Sequence, residues 1–417
     1  MISATEIEFD YDIVIAGGGM IGSSFALAIA PLGLRVAIVE PVSPSASAQP
    51  SFDDRSTALS RSTQRMFAAM GLWEQIVAAA TPITRIHVSD KGGFGFAHIN
   101  AEQQGVEALG YVVINRVLGS VLQAGLAEVD ALDVLCPARI AGVNLGPDSA
   151  NVAITADDGR SRELRCRLLV VADGANSSVR TMIGIAASQS DYGQRAVIGN
   201  LKPEKSLDHC AYERFTEHGP LALLPVTDDR AGFVWSVSEQ NAQRVLALDK
   251  TGFLDELQQA FGNRLGRFSR VGKRAAYPLV LSKAARLTAQ RAVLVGNAAH
   301  GLHPVAAQGF NLGMRDVAAL SDCIADAMRT DGQGFDPGSV ELLDRYAKWR
   351  RADQQKLVGF TDGLVRLFSH SSRRLRFLRN IGMLGFDLVP GIRSLFARHT
   401  MGLAGRLPRL SRGVPLT

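Results

Sequence analysis

Apolar residues in this chain gather in short runs that stop at glycine. Tyr11–Ala16 (YDIVIA) predicts a buried strand, Gly17–Gly19 a break, and SSFALAIA a helix. Arg35–Glu40 (RVAIVE) predicts a second buried strand, so the chain opens on a β-α-β unit. The strand-then-glycine pattern returns at Arg167–Ala172 (RLLVVA), before Asp173-Gly174, and at Arg291–Val295 (RAVLV), before Gly296. Three such strand ends, so far apart in sequence, predict one nucleotide-binding domain assembled from discontinuous segments.

Between them, residues 41–51 read as a polar, proline-containing loop and Ser56–Met70 as a helix. Thr84–Asn100 reads as a hairpin broken at Gly92-Gly93, and Asn115–Ala127 as a helix. Strand-like pieces with turns at Gly146–Ser149 and Asp157–Gly159 lead from Val134 to Val171. Residues 190–275 are rich in strand patterns such as LALLPV and AGFVWSV, interrupted by a helix near Gly252–Phe261. A helix is predicted from about Met314, a loop over 329–338, and mostly helix over the last 75 residues.

Composition places limits on this picture. A chain of 417 residues with 47% hydrophobic and 20% charged residues is globular, with material for two or three domains. It is neither disordered, nor collagen-like, nor a disulfide-stapled module. Cys136, Cys166, Cys210 and Cys323 lie far apart with no C-x-x-C pair, which reads as free thiols in a reducing compartment. The N-terminus is acidic before its first apolar run, unlike a signal peptide, and no stretch reads as a membrane span. A cytoplasmic location is the expectation. The formal charge of +5 suggests an anionic partner.

Four motifs carry candidate chemistry. Gly17-Gly18-Gly19-Met20-Ile21-Gly22 holds G-x-G-x-x-G between a strand and a helix, and Glu40 ends the next strand. Gly17 suits a tight turn, Gly19 the approach of a pyrophosphate, and Gly22 close packing of helix on strand. The helix N-terminus faces the phosphate charge, and Glu40 can accept from a ribose hydroxyl while repelling a 2′-phosphate. Asp53–Ser60, read by composition, is a solvated turn and a helix cap. Asp173-Gly174 after an apolar strand is a common turn. In Gln308–Gly313, Gly309 and Gly313 flank Asn311 ahead of a predicted helix. That arrangement presents backbone N–H groups to a phosphate or an electron-rich ring oxygen.

In this order and spacing, the three glycine signatures resemble the flavoprotein aromatic hydroxylases of the p-hydroxybenzoate hydroxylase fold. Within them the chain is most similar to the ubiquinone-biosynthesis branch. The resemblance spans nearly the whole chain and is carried by FDDRSTALS, ERFTEHGPLALLPV, GKRAAYPL and GNAAHGLHPVAAQGFNLGMRDV. It implies an α/β fold: a Rossmann-like FAD-binding domain over 1–80, 105–188 and 276–345, a β-sheet substrate domain over 81–104 and 189–275, and a C-terminal helical region over 346–417. It implies FAD held without a covalent link, NAD(P)H as reductant and O2 as co-substrate. The reaction implied is hydroxylation of the ring of a 2-polyprenyl-6-methoxyphenol, or of a related phenol at another ring position, through a flavin C4a-hydroperoxide. Gly17, Gly19, Gly22 and Glu40 would hold the adenosine and pyrophosphate, and Arg55 would lie near the flavin. Asp173 and Gly174 match the second fingerprint. Gly296 and Asn297 stand where the third usually has Gly-Asp, so the acceptor oxygen is kept and the charge lost. Pro304 and the Gln308–Gly313 loop, with Gly309 and Asn311, would line the isoalloxazine ring.

No general base is assigned. Tyr212, Arg214 and His218 are weak candidates, and a core or solvated-edge role is the favoured reading of each. His300 and His303 lack a third ligand at suitable spacing, so no metal site is expected. A flavin-fold scaffold without turnover is the rival of another class. A simple NAD-dependent dehydrogenase would leave the Asp173 and Gly309 regions unexplained.

Charge is uneven along the chain. Residues 371–417 hold nine arginines and one acid, Asp387, a net +8, which leaves −3 for the rest. Arginines interleaved with leucine and phenylalanine suggest an interfacial helix on an anionic membrane. The resemblance adds a ubiquinone-biosynthesis complex as an alternative partner of this region. A solvated helical cap is the alternative, and nucleic acid is not expected.

Overall fold

The structure, a computed structural model, describes residues 8–43, 53, 55–227, 229–301, 308–369, 380, 382 and 390–417. Its first layer is an eight-stranded mixed sheet with a parallel centre. Strand β1 (Tyr11–Ala16) lies between β2 (Val36–Val39) and β8 (Ser161–Val171); β7 (Leu132–Leu135) flanks β2 and β14 (Ala292–Leu294) flanks β8, all parallel. The inner strands β1, β2, β14 and the C-terminal half of β8 are largely buried on both faces, which is why their sequences do not alternate, whereas β7 at the edge is exposed at Asp133 and Val134. Helices α1 (Met20–Ile29), α3 (Asn115–Ala127) and α6 (Gln308–Asp331) pack beside the sheet, sharing one core that includes Ile13, Phe25, Ile38, Leu122, Val170 and Leu320.

The second layer is a nine-stranded, mostly antiparallel sheet. Its main path runs from β13 (Ala275–Ala284) through β9 (Ala187–Pro203), β12 (Arg230–Ser238), β11 (Gly219–Val226) and β10 (Cys210–Thr216) to the hairpin β4 (Arg85–Asp90) and β5 (Phe96–Asn100). The expected hairpin is therefore present, and β4 joins β10 in the only parallel step of this path. Helices α4 (Glu239–Ala247) and α5 (Lys250–Phe261) cover one face, closing a second core around Leu221, Leu223, Phe233, Trp235 and Phe253. Strand β13 pairs in this sheet, so the segment from 276, assigned by sequence to the FAD-binding half, first completes the substrate-side sheet.

Three sequence expectations need correction. Ser56–Ser60 is not helical; it is strand β3, paired antiparallel with β6 (Gly110–Ile114). Serine and threonine suit a pleated surface, and Ser60 then caps helix α2 (Arg61–Ala69) by accepting the Thr63 N–H. Gln308–Gly313 is not a loop: α6 begins at Gln308, ahead of Met314, and runs through the expected loop start to Asp331. Glycine is tolerated there because a Cβ at Gly313 would lie 2.7 Å from Ile21 Cδ1 of α1; close helix packing offsets the propensity cost of about 1 kcal/mol.

Helices α7 (Val340–Ser369) and α8 (Pro390–Thr400) supply the expected C-terminal helicity, but 401–417 is built of turns and one short 3-10 segment. Among the described residues, no helix is long and apolar enough to cross a membrane.

Candidate active site

The three glycine-terminated strand ends meet. Ala172 N–H donates to Ala16 O (2.8 Å) and Val295 N–H to Val171 O (3.0 Å), so β1, β8 and β14 finish side by side at the carboxyl edge of the sheet. Ligands of open parallel sheets bind at that edge. Gly17 turns the chain at φ +102, a left-handed conformation that a side chain resists. A Cβ at Gly22 would fall 1.9 Å from Gly17 O, so the first turn of α1 can close only on glycine. Gly19 caps α1 without any side-chain bond, leaving first-turn N–H groups for an anion.

Glu40 is anchored by the same turn. Its Oε2 accepts Gly18 N–H (2.7 Å) and its Oε1 accepts Val42 N–H (2.9 Å), which leaves further lone pairs for hydroxyl donors. Asp173 follows β8, and its Oδ2 accepts Val179 N–H (3.2 Å). Its buried Oδ1 has no hydrogen-bond partner among the described residues, and burial raises its pKa. Gly174 continues the turn at φ +92. Arg180 then donates to Ala298 O (2.9 Å), tying this turn to the third one. There, Asn297 is the one exposed residue between Ala292 and His300. An uncapped helix start, an orphaned buried acceptor and a lone outward amide around one sheet edge fit a dinucleotide with hydroxyl and phosphate groups.

Two buried constellations hold this edge in place, one centred on Asn311 and one on Asp316, and of these two residues only Asp316 is absent from the sequence-based candidates. Asn311, expected to line the flavin, instead faces β3 and α2. Its Oδ1 accepts Ser60 N–H and Thr63 Oγ1–H, both at 2.8 Å, and its Nδ2 donates to Ala58 O (2.9 Å). Asp316, one turn further along α6, is fully buried and accepts from Gly296 N–H (3.0 Å), His300 Nε2 (2.6 Å) and Arg350 Nε (2.6 Å). Burial alone would raise its pKa, but His300 and Arg350 outweigh it and hold the carboxyl down at about 2. The charged pair Arg315-Asp316 between the apolar residues Leu312, Met314 and Val317–Leu320 was the available signal. Gln308 lies in the first turn of α6, no described residue comes within 4 Å of a Cβ placed at Gly309, and Pro304 and His303 fall outside the described residues.

The nine-stranded sheet turns its other face toward the cradle. A Cβ at Gly232 would lie 2.8 Å from Ser56 Oγ of β3. Ala58 and Val112 pack with Ala211, Leu224 and Val226 of the sheet. Arg55, paired with Asp53 at 2.5 Å, lies 4.9 Å over the Tyr277 ring.

Strand alternation separates the weak catalytic candidates from this inner face. Tyr212 and Arg214 point to the helix-covered side. Tyr212 meets Phe261 edge-on at 5.7 Å, and burial pushes its hydroxyl up to about 12. Tyr212 also borders a cavity of about 340 Å³ shared with Arg85, His87, His98 and Arg264. Arg214 sits beneath Gly262 at the end of α5. His218 is exposed in the turn between β10 and β11. The residue between the first two, Glu213, takes the inner face, and a period-two reading of ERFT would have found it.

The FAD binding domain family matches residues 10–361. The chain is 38% identical over 409 residues to the ubiquinone hydroxylase UbiL of Rhodospirillum rubrum, covering 97% of this chain and 93% of that protein. The chain belongs to the FAD-dependent hydroxylases of ubiquinone biosynthesis. It is also 30% identical to the 3-demethoxyubiquinol 3-hydroxylase of Escherichia coli, covering 94% and 98% of the two. The p-nitrophenol 4-monooxygenase PnpA of Pseudomonas putida DLL-E4 shares the fold, with TM-score 0.78 at 18% identity over 96% of this chain and all of that one. As a FAD hydroxylase, the enzyme uses NAD(P)H and O2 with its flavin.

Proposed function

We propose that the enzyme hydroxylates the aromatic ring of a 2-polyprenyl-6-methoxyphenol. The observation that carries this reading is the inner face of the nine-stranded sheet. There Val88, Ala222, Leu224, Val234 and Ile198 are only half-buried, whereas Leu221, Leu223, Phe233 and Trp235 on the opposite face are packed shut. An apolar wall left partly unfilled beside a dinucleotide cradle suits a greasy ring and its prenyl chain.

When bound, FAD reduced by NAD(P)H supplies the electrons that split O2, one atom entering the ring and the other leaving as water. The protein's part is to hold and orient. Gly17, Gly19 and Gly22 seat the pyrophosphate, Glu40 takes ribose hydroxyls, and Asp173 offers its unpaired oxygen to the cofactor. Arg55, Gly296 and Asn297 border the flavin side. The arginine-rich C-terminal segment brings the enzyme, from the cytoplasmic side, to an anionic membrane surface where a polyprenyl substrate dissolves.

Purified enzyme given FAD, NAD(P)H, O2 and a defined polyprenyl-methoxyphenol should form a product heavier by one oxygen, with NAD(P)H oxidation accelerated by the phenol. NAD(P)H oxidation without oxygen incorporation into any such phenol would overturn the reading. The likeness to the 3-demethoxyubiquinol 3-hydroxylase favours a second ring position, and the same assay with demethoxyubiquinol decides between them.

A further inference from the structure

Glu213 occupies an unusual place on the inner face. Pairing across the sheet puts it in one row with Val88 of β4, Ala222 of β11, Val234 of β12 and Ile198 of β9. Each of those neighbours is apolar. Among the described residues, no hydrogen bond or ion pair reaches its carboxylate. Asp90 lies one row away on β4, where it is bonded by Asn380 Nδ2 at 3.4 Å, and Arg55 and Tyr277 lie beyond β9.

No charged neighbour shifts Glu213; burial alone pushes its carboxyl up to about 7. The residue as a whole is half-buried, unlike Leu221, Leu223 and Phe233 of the packed face. A lone carboxylate in an apolar wall weakens the fold, so packing does not account for it. Its face is the one that meets β3, and β3 is bonded to the head of α6 through Asn311.

We propose that Glu213 is the catalytic base that accepts the proton of the substrate's ring hydroxyl, an assignment that rests on the phenol reading above. The step is a proton transfer and needs no further reactant. The phenolic O–H bond breaks and a carboxyl O–H bond forms. The electron pair left on oxygen spreads into the ring and enriches the ortho and para carbons, the positions an electrophilic oxygen attacks. The ring regains aromaticity when the hydroxylated carbon's C–H bond breaks and its proton leaves to solvent, while Glu213 returns its own proton to the phenolic oxygen. A base that titrates close to working pH is suited to both directions.

The test is equilibrium binding of 2-methoxy-6-prenylphenol to the FAD-loaded full-length protein between about pH 5 and 9, read from the flavin spectrum. Wild type should show an inflection near the Glu213 pKa. Glu213→Gln should bind the phenol roughly tenfold or more weakly. It should also lose the inflection while keeping its FAD content, and Glu213→Asp should restore part of both. Glu213→Gln should melt higher than wild type at pH 8 and close to it at pH 5, because the ionisation cost disappears. A variant that keeps wild-type affinity and pH profile overturns the assignment, as does one that melts lower at every pH. Wild type that holds FAD but never binds the phenol removes the substrate reading and this assignment with it.

Discussion

At Gly22 there is no room for a single methyl group. Gly22→Ala places that carbon 1.9 Å from Gly17 O, so the turn must open at a cost of about 1–3 kcal/mol. The variant should purify with little flavin absorbance and a lower urea midpoint. Asp316 works through charge instead. Asp316→Asn leaves Arg350, 2% exposed, with Asp353 as its remaining acid and strips His300 of its carboxylate partner, and should cost about 1–3 kcal/mol in urea unfolding near neutral pH. The sign of its pH dependence follows from a lowered pKa. The contribution is complete above the ordinary carboxylate range and is lost as pH falls toward about 2, so wild type and variant should converge in acid. The glycine fingerprint was legible because its requirement is local: a turn, an approach, a close packing. Asp316 was not, because its meaning depends on His300 and on Arg350, which comes from another helix. Glu213 is set apart from Tyr212 and Arg214 only by strand alternation, which a reading of residue types alone does not register.

Among the elements, α6 and β3 depend on one another. Asn311→Ala removes three hydrogen bonds and strands the Ser60 N–H and Ala58 carbonyl in a buried seam. Each unsatisfied group costs about 1–3 kcal/mol, so a loss of roughly 2 kcal/mol or more is expected in urea unfolding, with faster amide exchange at Ser60. Asn311→Asp should also destabilise, because it sets an oxygen against Ala58 O where a donor stood. This seam explains where element prediction failed. The pattern of Ser56–Met70 is compatible with a helix, and only pairing with β6, distant in sequence, makes its first five residues a strand. By contrast, Asn115–Ala127 came out with its observed bounds, because its apolar spacing already specifies the buried face.

At the scale of the whole molecule, the basic C-terminal stretch has two parts. Arg409 pairs with Asp322 and Asp326 of α6, and Arg406 lies 4.2 Å over the Trp349 ring, so these two charges are spent on folding. Arg373, Arg374, Arg376 and Arg379 fall outside the described residues. Arg409→Ala should lower the melting temperature and leave vesicle binding unchanged. Glutamine at 373, 374, 376 and 379 should do the reverse: a wild-type melting temperature, and weaker, salt-sensitive flotation with anionic vesicles. The folding role of Arg406 and Arg409 was not legible in the sequence, because composition does not say which charges meet acids or rings. The meeting of three strand ends also has a consequence for synthesis. A ribosome delivers β1 and β2 early, yet β8 emerges only after residue 161 and β14 after residue 292, while Arg350, which holds Asp316 behind the third turn, comes later still. The nascent chain therefore carries an unfinished apolar ribbon for most of its translation. Flavin capture is a late event in the life of the polypeptide, and a product stopped short of Arg350 is a substrate for chaperones and proteases before it is an enzyme.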